Sequence, residues 1–294
     1  MSSGLHKASQ ALLRHSRPSQ RRELDSSREQ ARLADFHVHT TFCDGRDAAE
    51  AVVQSALSLG MKRLGFSSHA HVSFDPEACM SPEATEAYKR EITRLREKYK
   101  GQIEIFCGTE QDYFSDLPTK DYDYVIGSMH YLYVGGAYRP VDRTAEHLRA
   151  MIDECFDGDP YAMASAYFRQ EADIVRKTNA NIIGHFDLLT KFNEQEPFFD
   201  EEHPRYVAAS NAALDALLET GRPFEINTGA ISRGYRTTPY PSLRLLRRIA
   251  ERGGRVILSS DSHQAGTLCF RFKECLDLVE SLGLNLCLSP WDDR

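Results

Sequence analysis

The chain has 294 residues, 41% of them hydrophobic and 27% charged, with a formal net charge of −7. A chain this long buries about three quarters of its unfolded surface without staples, and its negative charge argues against a protein built to coat nucleic acid. No run approaches the ~18 apolar residues of a membrane-spanning helix, so no membrane partner is expected.

Residues 1–34 carry seven basic residues (Lys7, Arg14, Arg17, Arg21, Arg22, Arg28, Arg32) against Glu23, Asp25 and Glu29. Rich in Ser, Gln and Arg and poor in apolar residues, they read as a basic, poorly ordered and dispensable extension. They lack the apolar core of a secretory signal, and their acids count against a transit peptide. Seven cysteines without a C-x-x-C pair do not form a disulfide framework or a Cys-rich zinc site. They point to a reduced, cytoplasmic protein.

From residue 35 to 294 the chain reads as one catalytic domain. Apolar runs at Leu33–His37, Arg63–Ser67, Ile103–Cys107, Tyr124–Gly127, Asn181–Gly184, Phe224–Asn227 and Val256–Ser259 alternate with helical patterns. The latter include Ala48–Leu59, Glu83–Tyr99, Tyr206–Leu218 and Leu243–Ile249. Such alternation predicts a parallel sheet buried on both faces. Seven βα units indicate a barrel-like (β/α) domain, one short of the usual eight. An open doubly wound sheet is disfavoured, because no G-x-G-x-x-G follows the first strand. Residues 142–179 predict an excursion of one or two extra helices.

The carboxyl ends of these runs carry the chemistry. The first ends in His37 and His39 with Asp44 beyond, the second in His69, and the third runs into Glu110. The fourth reaches His130, the fifth His185, and the seventh Asp261 and His263. Barrel active sites are built on this rim. One rim histidine is readily a satisfied core residue, but nine imidazoles and carboxylates together need metal or mutual pairing. Nine ligands suit two or three ions better than one, and the donor types admit Zn, Mn or Fe. His37-x-His39 is expected to share an ion only where the strand ends and turns. Of the remaining histidines, His6 and His15 fall in the extension, His147 and His203 read as surface, and His71 is a candidate substrate contact.

The run D-F-H-V-H-T…D-G at 35–45, with G-F-S-S-H-A at 65–70, G-T-E at 108–110 and G-S-M-H at 127–130, resembles the polymerase-and-histidinol-phosphatase (PHP) superfamily. G-H-F-D at 184–187 and S-D-S-H at 260–263 complete the set. Within that superfamily the chain looks most like the stand-alone histidinol-phosphate phosphatases, sharing their length and E-I-N-T-G-A-I-S-R-G-Y-R-T-T-P-Y-P at 225–241. The resemblance implies a distorted (β/α)7 TIM-like barrel with a trinuclear metal centre. It assigns His37, His39, Glu110 and Asp261 to one ion, and Glu110, His130 and His185 to a second, with Glu110 bridging. Asp44, His69 and His263 would hold the third. Glu110, Asp261 and His263 are the residues expected to carry catalysis. Ser68 stands where many relatives have Asp, and the 34-residue extension has no counterpart; neither departure removes a ligand.

The implied reaction is hydrolysis of a small phosphomonoester, L-histidinol phosphate, late in histidine biosynthesis. A hydroxide shared by two ions would attack phosphorus in line, and a rim His or a water would protonate the leaving group. Arg233, with Arg139 and Arg236, is the expected phosphate contact, since Arg grips phosphate with two donors. Asp187 and Glu225 are candidates for the substrate amine or for orienting histidines. A nucleotide or another small phosphoester is the alternative substrate. An amidohydrolase-type barrel fits less well, because no Lys lies at a strand end, and complete ligands argue against a silent binding module.

Overall fold

A computed structural model describes residues 33–291. The expected extension therefore lies outside the described residues, with His6 and His15, apart from Leu33 and Ala34. Ala34 already belongs to the first strand.

Ten strands occur among the described residues: β1 Ala34–Asp35, β2 Arg63–Phe66, β3 Glu104–Asp112, β4 Tyr124–Ser128, β5 Tyr131–Val134, β6 Ala137–Pro140, β7 Ile182–Ile183, β8 Phe224–Asn227, β9 Arg255–Ser259 and β10 Asn285–Cys287. Nine α-helices accompany them: α1 Ala49–Ser58, α2 Pro82–Lys98, α3 Ala145–Cys155, α4 Pro160–Glu171, α5 Ile174–Thr178, α6 Pro204–Leu218, α7 Gly229–Ser232, α8 Leu243–Glu251 and α9 Phe272–Leu282. The principal sheet is parallel, in the order β1-β2-β3-β4-β7-β8-β9-β10. Beyond β1 and β9 the chain closes the ring. Val38 bridges Ser262, the His39 N–H donates to the Ser262 carbonyl at 2.8 Å, and the Ser262 N–H donates to the His37 carbonyl at 3.1 Å. The result is a distorted seven-stranded (β/α) barrel. β10 is an eighth parallel strand, on the part of β9 that β1 leaves free.

β4 and β8 are buried along their whole length, as strands covered on both faces must be. Tyr124 fills the barrel, donating its hydroxyl to the Phe36 carbonyl at 2.6 Å and the Phe66 carbonyl at 3.0 Å. It fits because two neighbours are glycine: a Cβ at Gly108 would stand 2.3 Å from its ring, and one at Gly65 2.4 Å from its hydroxyl. On the outside, α2 begins at a Ser81 cap followed by Pro82 and buries Tyr88, Ile92 and Leu95.

Three departures from expectation matter. The excursion after residue 142 holds three helices, α3 to α5, broken at Asp157 and Gly158, both with positive φ. β5 and β6 form an antiparallel hairpin whose turn is Gly135-Gly136, both also at positive φ. β3 continues to Asp112, so Glu110 lies within it rather than beyond its end. His147 and His203 sit at the starts of α3 and α6, where the His203 Nδ1 accepts the Arg205 N–H. All seven cysteines are free thiols, and no helix among the described residues is long and apolar enough to cross a membrane.

Candidate metal centre

Parallel strands of one barrel end at one rim, and the nine expected ligands meet there. Glu110 is their hub. Its Oε1 lies 3.0 Å from the His185 Nε2 and 3.3 Å from the His130 Nε2. Its Oε2 lies 2.9 Å from the His69 Nδ1, 3.1 Å from the His37 Nε2 and 3.4 Å from the His39 Nε2. Asp261 Oδ1 approaches the His39 Nε2 and the His263 Nδ1, both at 3.4 Å, and Asp44 Oδ2 stands 3.2 Å from the His263 Nε2. His37 and His39 face the same side because residues i and i+2 of an extended chain always do. The turn expected between them is not needed.

Carboxylates and imidazoles packed this closely perturb one another. Burial opposes charge on His37, yet the carboxylates of Glu225, Glu110 and Asp261 hold its pKa well above the usual value. Burial would raise Glu110, but His37, His69 and His130 hold it well below the usual range. For Asp261, Arg233 and then His37 overcome burial in the same direction. His39 goes the other way, to about 3, through burial and the neighbouring His263 and His69. The carboxylates thus draw positive charge inward, which is what a cation site requires.

The residues fit divalent metal. The Nε2 atoms of His37 and His39 and the Oε2 of Glu110 are buried without a hydrogen-bond partner among the described residues. Ligand atoms around a four-coordinate zinc, with bonds of about 2.0–2.1 Å, lie roughly 3.3 Å apart, close to the spacings above. Three groups of side chains converge on common points: His37, His39 and Asp261; His39, Asp44, His69 and His263; and His69, Glu110 and His130. His39 and His69 each belong to two of them. Outer partners fix the rings. The His37 Nδ1 lies 2.7 Å from the Glu225 Oε1, so a neutral ring that donates there would turn its Nε2 lone pair inward to a metal. The His130 Nδ1 lies 3.3 Å from Asp112 Oδ2. Asp112 was not among the sequence candidates, although it sits two residues beyond Glu110 on the same face of β3.

The expected substrate contacts divide. Arg233 joins the site: its Nη1 donates to the Asp261 carbonyl and its Nη2 to Asp261 Oδ2, both at 2.9 Å, and Nη1 lies 3.0 Å from the His263 Nδ1. Arg139, on β6, pairs with Glu154 at 2.8 Å. Arg236 is buried, donating to Thr190 and lying over the Tyr240 ring. The His71 Nδ1 faces the Met80 carbonyl at 3.1 Å, and Asp187 Oδ2 accepts the Ser242 N–H. Among the described residues no side-chain hydrogen bond or ion pair joins any of these four to the nine. A cavity of about 200 Å³ opens beside His69, Glu110 and His130, and its walls include Asp142, Arg143 and Lys191. The sequence reading missed these last three. They stand in connections that show no periodic pattern. A wider cleft of about 810 Å³, lined by Arg63, Arg96 and Phe106, lies at the amino ends of β2 and β3, away from the rim.

The histidinol-phosphatase of Bacillus subtilis is 27% identical over 266 residues, covering 83% of this chain and 98% of that protein. A crystal structure from Listeria monocytogenes, assigned as a histidinol phosphatase, superposes with a TM-score of 0.72 at 19% identity, covering 82% of this chain and 99% of the other. The histidinol phosphate phosphatase of Lactococcus lactis, solved with zinc, L-histidinol and phosphate, gives a TM-score of 0.64 at 22% identity over 87% and 95% of the two chains. The PHP domain matches residues 35–229, well over half of the chain, which therefore belongs to the PHP domain family.

Proposed function

We propose that this chain is a metal-dependent phosphatase, a phosphoric monoester hydrolase acting on L-histidinol phosphate. The observation that carries the reading is the Glu110 carboxylate ringed by five imidazoles beside a cavity with Arg143 and Lys191 in its wall. Relatives that span nearly the same length and bear the histidinol-phosphatase name support it.

His37, His39, Glu110 and Asp261 would hold one ion, Glu110, His130 and His185 another, and Asp44, His69 and His263 a third; Zn, Mn and Fe all suit this donor set. When bound, such ions supply a water nucleophile of lowered pKa and offset phosphoryl charge. The chain's own residues do the positioning. Glu225 and Asp112 lock the rings of His37 and His130, and Arg233 orients Asp261 while presenting positive charge at the rim. Glu110, Asp261 and His263 are the proposed catalytic residues through their place in that centre, and the cytoplasm is the proposed compartment.

A nucleotide is the less favoured substrate. The cavity lies below the ~300–1,000 Å³ of pockets for drug-sized ligands, which favours a compact phosphoester. The test is phosphate release by zinc- or manganese-reconstituted protein from L-histidinol phosphate and from a nucleotide panel, beside Asp261→Ala. Turnover selective for histidinol phosphate and lost in the variant is expected. Preference for nucleotides would replace the substrate, and wild-type protein that takes up no metal would end the reading.

A further inference from the structure

Over the cavity, the segment after β2 meets the β5–β6 hairpin. Val72, Ala78 and Cys79 wall the cavity from one side, and Tyr131, Pro140 and Arg143 from the other. The segment is held as a closed loop. The Met80 N–H donates to the His69 carbonyl, the Val72 N–H points at Cys79 Sγ at 3.2 Å, and that thiol donates to the Asp75 carbonyl at 3.2 Å. Phe74 stacks on Tyr138 of the hairpin at 3.8 Å and meets Tyr131 edge-on at 4.9 Å. At the centre is Asp75, whose side chain is only 10% exposed. Its Oδ2 accepts the Tyr131 hydroxyl at 2.6 Å and pairs with the Arg143 Nη2.

The two cations of the cavity wall are differently engaged. Lys191 is committed to Asp142, donating to its carbonyl at 2.7 Å and to its carboxylate at 3.1 Å. Arg143 uses one Nη for Asp75, and its Nε and other Nη have no partner among the described residues. A guanidinium fixed at one corner keeps its remaining in-plane N–H donors for an anion, and phosphate oxygens accept such charged donors. A hydrogen bond with a charged partner is roughly twice as strong as one between neutral groups. Pre-fixing the side chain removes part of the ordering cost that a free arginine would meet on binding.

We propose that Arg143 grips the substrate phosphate from the cavity wall and that Asp75 is its positioning residue, latched to the hairpin through Tyr131. The proposal deepens the phosphatase reading and rests on it for the identity of the substrate, but the anion grip can be tested without turnover. Zinc-loaded wild type, Arg143→Gln, Asp75→Asn and the double variant are titrated with inorganic phosphate in a calorimeter, with zinc content and melting temperature measured in parallel. Arg143→Gln should weaken phosphate binding about tenfold at unchanged zinc content. Asp75→Asn, isosteric and still able to accept the Tyr131 hydroxyl, should weaken it about threefold or more and add nothing in the Arg143→Gln background.

In turnover, both single variants should raise KM for L-histidinol phosphate far more than they lower kcat. Phosphate affinity of Arg143→Gln within about twofold of wild type overturns the proposal. Additive effects of the two substitutions overturn the positioning role of Asp75. Should Asp75→Asn fail to fold, Arg143→Gln still decides the grip and Tyr131→Phe the latch. Wild type that binds phosphate through Arg143 yet leaves L-histidinol phosphate intact would refute the substrate reading and leave this proposal standing.

Discussion

The Nδ1 of His37 stands 2.7 Å from the Oε1 of Glu225, with both side chains shielded from solvent. Glu225 also accepts the His185 N–H and the Asn227 Nδ2, each at 3.1 Å, so it holds one expected ligand by its ring and another by its backbone. Glu225→Gln would set an amide against the His37 Nδ1 and favour the tautomer whose Nε2 carries the proton, which cannot ligate metal. Such outer partners are worth about 10–100-fold in metal affinity. A loss of that size should appear in zinc competition against a chromophoric chelator, with the fold intact by circular dichroism. Unaltered zinc affinity would show that the Glu225 contact is only structural.

Gly229 opens α7 against the same centre. A Cβ added there would lie 2.5 Å from Asp261 Oδ2, the oxygen held by Arg233. Asp261 has little room to retreat, since its backbone is already in the left-handed region at φ 47. Gly229→Ala should therefore displace Asp261, lower the number of zinc ions bound per chain, and cost about 1–3 kcal/mol through overpacking. Full zinc stoichiometry in the variant would mean that Asp261 is not a ligand or that α7 shifts instead.

The barrel and its rim were legible for a physical reason. Strands covered on both faces are rich in apolar residues, so Tyr-Val-Ile of β4 and Val-Ile-Leu of β9 stand out in the sequence, and parallel topology sends the carboxyl ends of the strands to one end. His37, Glu110 and Asp261 are therefore neighbours although far apart in the chain. What eluded the reading lacks that signature. The outer half of β3, Gly-Thr-Glu-Gln-Asp, is polar because it lines the site, so the strand looks finished at Cys107. β6 is mostly exposed and β10 has three residues. Arg143 and Lys191 are two among 36 Lys and Arg, and only the hairpin and the turn after His185 carry them to the cavity. Arg139 and Arg236 are expected at phosphate for their guanidinium chemistry, whereas Glu154 and Thr190 are what they touch.

Glu171, at the end of α4, makes folding sensitive to pH. It is 1% exposed and neither carboxylate oxygen has a hydrogen-bond partner among the described residues. Burial raises its pKa well above the usual 4.5, against a smaller opposing pull from His130. Unfolded, the group ionises near 4.5; folded, it keeps its proton to a distinctly higher pH. Between those two values the folded state binds more protons, so the contribution to stability is full below 4.5 and falls by roughly 1.4 kcal/mol per pH unit as pH rises, until the folded pKa is reached. Glu171→Gln removes that loss. Urea unfolding of both proteins at equal zinc should show the variant gaining on wild type as pH rises from about 5. A stability difference that does not change with pH contradicts a buried neutral Glu171.

Removing the ions should expose how much of the rim depends on them. Glu110 and Asp261, both almost fully buried, then have imidazoles and Arg233 as their counter-charges among the described residues, while His39 resists protonation until about pH 3. Ions that bind the folded chain alone stabilise it by about 2.7 kcal/mol per site at a hundred times Kd. For a domain of this size that is roughly 5–10 °C in melting temperature per site. Chelated protein should melt lower by at least that much and recover stepwise as zinc or manganese is added. Glu110→Gln should blunt the recovery more than Asp44→Asn, because Glu110 touches five imidazoles and Asp44 is partly open to water. Equal responses in the two variants would mean that Glu110 does not bridge, and a melting temperature indifferent to metal would mean that the cluster is held by its own hydrogen bonds.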